Sequence, residues 1–220
     1  MKEIAIDGPA GAGKSTVAKA VAKKLGYNYL DTGAMYRAAA YYMINKGINP
    51  SDAEAVIAEL PAMDMAIEYE HGMQKVVVEG EDVMPYIRTP QISRGSSDIA
   101  VIPEVRVRLV EIQRGVSEKY DIVMDGRDIG TYVLPDADHK FFLTASTGER
   151  ARRRYLELVQ KDPSADVVEI EKEIIARDKN DSSRSFAPLK QADDAMLIDT
   201  TDIMAEEVVD LMIETITGER

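Results

Sequence analysis

The sequence predicts an α/β fold with a parallel, doubly wound sheet and helices on both of its faces. Short apolar runs typical of buried strands alternate along the chain with longer amphipathic segments typical of helices. One stretch, Met63–Thr89, instead alternates apolar and polar residues around a His71–Gly72 turn, which predicts a small antiparallel β insertion. A length of 220 residues suits one domain with such an insertion.

The first third of the chain predicts two strand–helix pairs and one further helix. The strands are "KEIAID" and "YNYLD", and the helices that follow them are "STVAKAVAKKLG" and "GAMYRAAAYYMINKG". Val17, Val21 and Leu25 recur at every fourth position and give the first helix one apolar face, and Gly26 is its expected C-terminal stop. The sequence "SDAE", Ser51–Glu54, predicts a capping box that opens a third helix.

The remaining elements follow the β insertion. Helices are predicted at "QISRGSSDIA" and at "PEVRVRLVEIQRGVSEK", where Pro103 suits the first helical position. Buried strands are predicted at "DIVMDG", "HKFFLTAS" and "MLIDTT", with a long helical segment between the last two. We therefore expect a single domain, made of a core (1–62, 90–146 and 185–220), the insertion (63–89) and the helical segment (147–184).

Composition and charge exclude several functions. The chain has no cysteine, which excludes disulfides, a thiol nucleophile and cysteine-bound metal. No signal peptide or membrane span is visible, so we expect a cytoplasmic protein. No predicted helix has an obvious apolar face left over to bind another copy, so we expect a monomer. The net charge of −12 argues against nucleic acid as a partner. Arginines nevertheless cluster at Arg106–Arg108, Glu149–Tyr155 and Arg177–Arg184, which favours a small anionic ligand.

The strongest motif is "GPAGAGKS", which matches the phosphate-loop pattern G-x-x-x-x-G-K-[ST] and lies between a predicted strand and a predicted helix. Glycines let consecutive N–H groups surround a phosphate, and the following helix directs its positive end to the same point. Lys14 would reach the β- and γ-phosphate oxygens of ATP, and the Ser15 hydroxyl would bind Mg²⁺. The predicted ATP-binding residues are Gly8, Pro9, Ala10, Gly11, Ala12, Gly13, Lys14, Ser15 and Thr16.

A phosphate loop alone leaves the class of protein open. A GTPase requires N-K-x-D, whereas "DKND" begins with Asp178 and lies in a helical, arginine-rich context. A motor or transport ATPase is usually larger than this chain. A small-molecule kinase needs a second anion site and a cover that excludes water. A nucleotide-binding regulator without rapid turnover is the alternative from a different class.

Two stretches are candidates for the second anion site. In "LDTGAMYR", Thr32 could cap a helix on which Tyr36 and Arg37 come one turn later. In "MDGRDIG", Arg127 and Asp128 follow a strand, and therefore lie at the carboxyl edge of the sheet, where doubly wound folds bind ligands.

The candidate cover is "ERARRRY". Arg150 and Arg154 share one helix face with Arg153 beside them, and such stacked like charges destabilise a helix unless an anion lies between them. Arg177, Asp181 and Arg184, on successive turns, could close over a sugar and phosphate from the other side.

The chain resembles the bacterial cytidylate kinases, P-loop nucleoside monophosphate kinases that phosphorylate CMP and dCMP with ATP. The resemblance lies in "IDGPAGAGKST", "LDTGAMYR", "VEGEDV…IRT", "DGRDIGT" and "RDKNDSSR…APL", in family order and spacing along nearly the whole chain. It implies the P-loop nucleoside-kinase fold, in which 63–89 is a substrate-side subdomain and 147–184 a helical lid. A kinase for UMP, AMP or a metabolite hydroxyl stays open as a second possibility.

The resemblance also implies roles for single residues. Lys14, Arg127 and the lid arginines Arg150, Arg153 and Arg154 are the implied catalytic group. Ser97, Arg106 and Asp128 are implied readers of the cytosine ring, because a carboxylate accepts from the amine of cytosine and repels the carbonyl of uracil. The full implied CMP site is Thr32, Tyr36, Arg37, Ser97, Arg106, Arg127, Asp128, Arg177, Asp181 and Arg184.

Overall fold

The computed structural model describes residues 1–160 and 162–218. Lys161, within the predicted lid, and residues 219–220, within the predicted core, lie outside the described residues. The chain forms two compact units: the first is mainly Tyr27–Ile122, and the second comprises Lys2–Gly26 and the chain from Val123 onward. The division into core, insertion and lid stays a prediction.

The strands and helices alternate as the sequence predicts. The strands are β1 (Glu3–Asp7), β2 (Asn28–Asp31), β3 (Met65–Glu70), β4 (Met73–Val78), β5 (Glu81–Asp82), β6 (Ile122–Gly126), β7 (His139–Thr144) and β8 (Met196–Asp199). The helices are α1 (Lys14–Leu25), α2 (Thr32–Asn45), α3 (Ala53–Glu59), α4 (Pro90–Ile99), α5 (Pro103–Ser117), α6 (Thr147–Leu158), α7 (Val167–Ser183) and α8 (Ala205–Thr217). In the described part of the chain, no helix has the length and apolar character needed to cross a bilayer.

The second unit contains a sheet in which the strands follow the order β6, β1, β7, β8. β7 runs parallel to both of its neighbours, with Asp7 of β1 opposite Phe142 and Thr144 opposite Asp199 of β8. Ile4, Ala5 and Ile6 are all buried, and because successive side chains of a strand point to opposite faces, both faces of β1 are covered. The parallel sheet of the prediction is confirmed.

Helices cover this sheet and extend the second unit. α1 packs against α8, and α6 packs against α7. α1 ends at Gly26, whose backbone φ of 73° lies in the left-handed region, as expected for a C-terminal glycine stop. α8 was not predicted, although Val208, Val209 and Met212 form a buried stripe along it.

The first unit contains the β insertion. β3 and β4 form the predicted antiparallel hairpin around His71–Gly72, and β5 adds a third strand beside β4. α2 packs against α4 and β4. Gly95 permits the close approach of α4, because a Cβ there would lie 3.0 Å from Cγ of Pro50.

The start of α3 differs from the prediction. Asp52 is the N-cap and accepts from the Ala55 N–H, so the predicted capping box at Ser51–Glu54 was wrong. The Asn49 side chain accepts from both the backbone N–H and the hydroxyl of Ser51 at 3.1 and 2.9 Å. Because this local turn occupies Ser51, the cap moves to the next residue.

Candidate active site

The glycine loop of the second unit follows β1 and leads into α1. Gly8, Gly11 and Gly13 have backbone φ angles of 146°, 78° and 83°, which other residues rarely adopt. A Cβ on Gly8 would lie 1.9 Å from the carbonyl oxygen of Leu143, so the loop packs too closely for a side chain. The sequence thus folds as the predicted strand, loop and helix, with the N-terminal N–H groups of α1 at the end of the loop.

Lys14 lies within this loop and is buried. Its Nζ donates to the carbonyl oxygen of Pro9 at 2.7 Å. Burial lowers the pKa of Lys14 to about 7, and the Arg127 guanidinium acts in the same direction, against the carboxylates of Asp125 and Asp7. An anion bound in the loop would favour the protonated amine, as a phosphate site requires.

Ser15 and Asp125 form the candidate metal site. The Ser15 hydroxyl donates to Oδ2 of Asp125 at 2.8 Å, and Asp125 is buried near the end of β6. Hydroxyl and carboxylate oxygens are ligands that Mg²⁺ accepts, usually together with phosphates and waters. The pair supplies two oxygen ligands, so the remaining ligands of a bound Mg²⁺ ion would be phosphates and waters. The described residues contain no cluster of three or more acidic or histidine ligands.

Asp7 is a second buried carboxylate close to the loop. Its Oδ1 accepts from the backbone N–H of Ile129 at 2.8 Å, and its Oδ2 accepts from that of Gly130 at 2.7 Å. Burial raises the pKa of Asp7 to about 7, although both hydrogen bonds act in the opposite direction. The segment after Asp128 is therefore attached to the residue that precedes the phosphate loop.

Arginines of the second unit surround a single carboxylate on α7. Arg127 Nε donates to Asp181 Oδ2 at 2.8 Å, and Arg184 Nη1 lies 3.7 Å from Asp181 Oδ1. Burial raises the pKa of a carboxylate, but the Arg127, Arg177 and Arg184 cations hold the pKa of Asp181 below its ordinary value. Three cations therefore act on this one buried carboxylate, and a phosphate bound beside them would give the same arginines a further anionic partner.

Arg150 on α6 supports the phosphate loop. This buried side chain donates from Nη1 to the carbonyl oxygen of Ala10 at 3.0 Å and to Asp178 Oδ2 at 2.6 Å. Gly11 lies against it, since a Cβ there would be 3.0 Å from Cβ of Arg150.

The other two arginines of α6 also have partners. Arg153 donates to Glu149 and to both oxygens of Thr200, whereas Arg154 is half-exposed and pairs with Glu157 at 3.0 Å. The carboxylates of Glu149, Asp178 and Glu157 lie beside these arginines, so anions within the chain already offset the stacked charges, and the role of the arginines in a lid stays a prediction.

In the first unit, Arg37 and Asp31 form a partly buried pair at the start of α2. Arg37 Nη2 donates to Asp31 Oδ2 at 2.9 Å, and Asp31 Oδ1 caps the helix by accepting from the Ala34 N–H. Asp31, and not Thr32, is the N-cap; Thr32 is the first helical residue. The buried Nε of Arg37 has no hydrogen-bond partner among the residues described, so a further acceptor could bind there.

Two more residues of the predicted CMP site contact each other in the same unit. The guanidinium of Arg106, a residue only 1% exposed, lies 5.4 Å from the centre of the Tyr36 ring. Arg106 Nη1 also donates to the carbonyl oxygen of Ala100 at 3.3 Å. Ser97 lies on α4, where its hydroxyl donates to the carbonyl oxygen of Ser93 at 3.4 Å.

The family model described as "Cytidylate kinase" matches residues 4–218 of the chain. The chain belongs to the cytidylate kinase family. A cytidylate kinase from Caldicellulosiruptor saccharolyticus is 49% identical over 96% of this chain and 93% of its own length. One from Caldanaerobacter subterraneus is 51% identical over 97% of this chain and 94% of its own length.

A solved structure supports the fold independently of sequence. An uncharacterised protein from Eubacterium ventriosum aligns over 99% of both chains with a TM-score of 0.55 and 14% identity. Similarity at that identity indicates the fold alone.

For this cytidylate kinase family member, the structure groups the predicted residues within each unit. The first unit holds Thr32, Tyr36, Arg37, Ser97 and Arg106, and the second holds the phosphate loop with Arg127, Asp128, Arg150, Arg153, Arg154, Arg177, Asp181 and Arg184. Their roles stay predictions.

Asp125 and Asp7 were missed as candidate site residues. Each is an acidic residue at or near the end of an apolar strand, in "IVMDG" and "EIAID", and that placement is the sequence signal that marks them. A carboxylate at the carboxyl edge of a parallel sheet points to the region where doubly wound folds bind ligands.

Proposed function

We propose that this protein transfers the γ-phosphoryl group of ATP to CMP or dCMP and releases ADP with CDP or dCDP. The observation that carries the proposal is the concentration of cations at the phosphate loop of the second unit. Burial lowers the pKa of Lys14 to about 7, and the nearby guanidinium groups of Arg127 and Arg177 act in the same direction. A second anion beside the ATP phosphates would balance these charges, which favours an acceptor that is itself a phosphate.

The family relationship supports the identity of the acceptor. Relatives about half identical to this chain are named cytidylate kinases, and they match nearly all of its length. Asp128, a buried carboxylate directly after Arg127, offers an oxygen that would accept from the exocyclic amine of cytosine. The carbonyl of uracil would instead face this oxygen with a second acceptor, so UMP should be the weaker substrate.

The charges of the site explain how transfer would be promoted. A monophosphate is already an anion at neutral pH, so the reaction needs no strong general base; the obstacle is repulsion between the two phosphate groups. Lys14, together with arginines such as Arg127, would stabilise the charge on the moving phosphoryl group. Ser15 and Asp125 would hold Mg²⁺, which neutralises phosphate charge when bound. Fixed positions for donor and acceptor supply much of the remaining rate.

An acceptor panel tests the proposal. ADP release from ATP is measured with CMP, dCMP, UMP and AMP, with water alone as the control for ATP hydrolysis. We expect CMP and dCMP to give the highest kcat/KM, UMP at least tenfold less and water the least. A preference for another acceptor would indicate a different kinase, and tight ATP binding without turnover would indicate a regulator.

The Asp128→Ala variant tests how cytosine is recognised in the same assay. Loss of the carboxylate should raise KM for CMP and leave KM for ATP almost unchanged. Equal changes in both constants would contradict base recognition by Asp128. A cytoplasmic location, a monomeric state and a place in pyrimidine nucleotide metabolism stay predictions from the sequence.

A further inference from the structure

Asp7 occupies a position between two functional segments of the second unit. It is the last residue of β1 and directly precedes Gly8, the first residue of the phosphate loop. Its carboxylate accepts from two consecutive backbone N–H groups, those of Ile129 and Gly130. These donors directly follow Asp128 in the chain, and the proposed transfer reaction leaves Asp7 without a role.

The backbone that Asp7 holds is also confined from a second side. A Cβ added to Gly130 would lie 3.1 Å from Cδ of Lys140 and 3.4 Å from Oδ2 of Asp7. The Lys140 side chain is buried at 7% exposure, and its Nζ donates to Asp194 Oδ2 at 2.7 Å and to the Pro135 carbonyl oxygen. Gly130 therefore lies between one carboxylate and one fixed hydrocarbon chain.

We propose that Asp7 is a positioning residue that fixes Arg127 and Asp128 relative to the phosphate loop. The residue that carries this carboxylate is bonded directly to Gly8, and the carboxylate itself is hydrogen-bonded to the segment after Asp128. A shift of that segment would move the groups proposed to bind the acceptor phosphate and base, whereas the loop would still bind ATP. The inference rests on the proposed function.

The geometry of the site uses both oxygens of the Asp7 carboxyl group. Each of its oxygens accepts one N–H, so two buried donors are satisfied by one side chain. An asparagine has the same shape but only one oxygen, and its NH₂ group would face the second N–H. Asp7→Asn should therefore release one of the two donors with little change in packing.

The test compares Asp7→Asn with Asp138→Asn. Asp138 is a matched control, because its carboxylate also accepts a backbone N–H, that of Glu3 at 2.8 Å, at the other end of β1. For Asp7→Asn we expect kcat/KM for CMP to fall at least tenfold and the preference for CMP over UMP to fall at least fivefold. The dissociation constant of ATP, measured without acceptor, should change less than threefold. Asp138→Asn should match the wild type in all three.

If Asp7 only stabilised the fold, these measurements would give a different result, because such a role acts on stability alone. It would lower the melting temperature of Asp7→Asn and leave the CMP preference intact at permissive temperature, which would overturn the proposal. Gly130→Ala provides an independent variant if Asp7→Asn does not fold, because it displaces the same backbone and keeps the carboxylate. Wild-type selectivity in Gly130→Ala would also overturn the proposal. Absence of CMP turnover in the wild type would instead refute the proposed function.

Discussion

At the scale of single residues, the buried charge of Lys14 lowers the stability of the fold and favours the binding of phosphate. A buried ammonium group is costly unless anions or carbonyl oxygens surround it. Here the Pro9 carbonyl is a direct partner and Asp125 and Asp7 are nearby carboxylates, yet burial still lowers the pKa of Lys14 to about 7. Bound phosphates would remove this penalty. The charge of Lys14 therefore favours ligand binding and does not by itself stabilise the fold.

Replacing this amine separates its role in catalysis from its role in folding. In Lys14→Met the side chain keeps its length but loses its charge, so we expect kcat to fall at least about 100-fold. The melting temperature should stay equal or rise, because a buried charge is removed. Lys24→Met, at a half-exposed lysine of the same helix, is the control for a lost charge. Turnover near the wild-type value in Lys14→Met would contradict the phosphate-loop assignment.

Asp125 allows a second test at the scale of the residue. Asp125→Asn keeps an oxygen near the Ser15 hydroxyl but removes the negative charge that favours Mg²⁺. We expect the Mg²⁺ concentration for half-maximal turnover to rise about tenfold or more, and Asp136→Asn, at an exposed position, to leave it unchanged. The measurement is a Mg²⁺ titration of ADP release at saturating ATP and CMP. A lower kcat with an unchanged Mg²⁺ requirement would exclude a role in metal binding.

Which site residues the sequence could predict depends on how far away their partners lie. Lys14 and Ser15 were predictable because the loop motif places both within a few residues of the glycines. Asp125 pairs with Ser15 across 110 residues, and Asp7 binds Ile129 across 122. Such pairings arise from the order of strands in the sheet, which no local spacing encodes.

At the scale of elements, the β insertion stabilises the start of α2, the helix that carries residues of the predicted CMP site. Gln74 on β4 accepts from the Asp31 N–H at 2.7 Å and donates to the Asp31 carbonyl oxygen at 3.3 Å. Asp31 in turn caps α2 and pairs with Arg37. The insertion therefore fixes the start of α2 through one side-chain amide.

This amide gives the insertion a testable function. In Gln74→Ala both hydrogen bonds to Asp31 are lost, so the start of α2 and Arg37 should become less ordered. We expect KM for CMP to rise about fivefold, which corresponds to about 1 kcal/mol, while KM for ATP stays the same. Gln91→Ala, at an exposed position of α4, is the matched control. An equal rise in both KM values, or in neither, would show that the insertion does not act through Gln74.

Element positions followed from local patterns, but their ends and partners did not always do so. Alternation predicted the β3–β4 hairpin, and Pro103 predicted the start of α5. The cap of α3 moved to Asp52 because Asn49 competes for Ser51. The spacing of Arg150 predicted a helix face, whereas its partner Asp178 lies 28 residues further along the chain, on another helix.

At the scale of the whole molecule, charge opposes self-association. The net charge of −12 at pH 7 gives every copy the same sign, and the arginine clusters that could attract another copy are largely paired with carboxylates within the chain. A protein of this composition has its isoelectric point near pH 4.7. The electrostatic repulsion between copies of the protein should therefore weaken as the pH falls toward that value.

We expect a monomer of 24.3 kDa at pH 7, with an average mass in solution that rises as the pH approaches 4.7. Protonation of carboxylates reduces the negative charge, so repulsion between copies weakens while apolar surface stays the same. Light scattering after size exclusion, at several protein concentrations from pH 7 to pH 5, measures the mass. Added NaCl at pH 7 is the control, because it screens charge without changing protonation. A concentration-independent mass of about twice the monomer at pH 7 would show instead that a specific interface overcomes the repulsion.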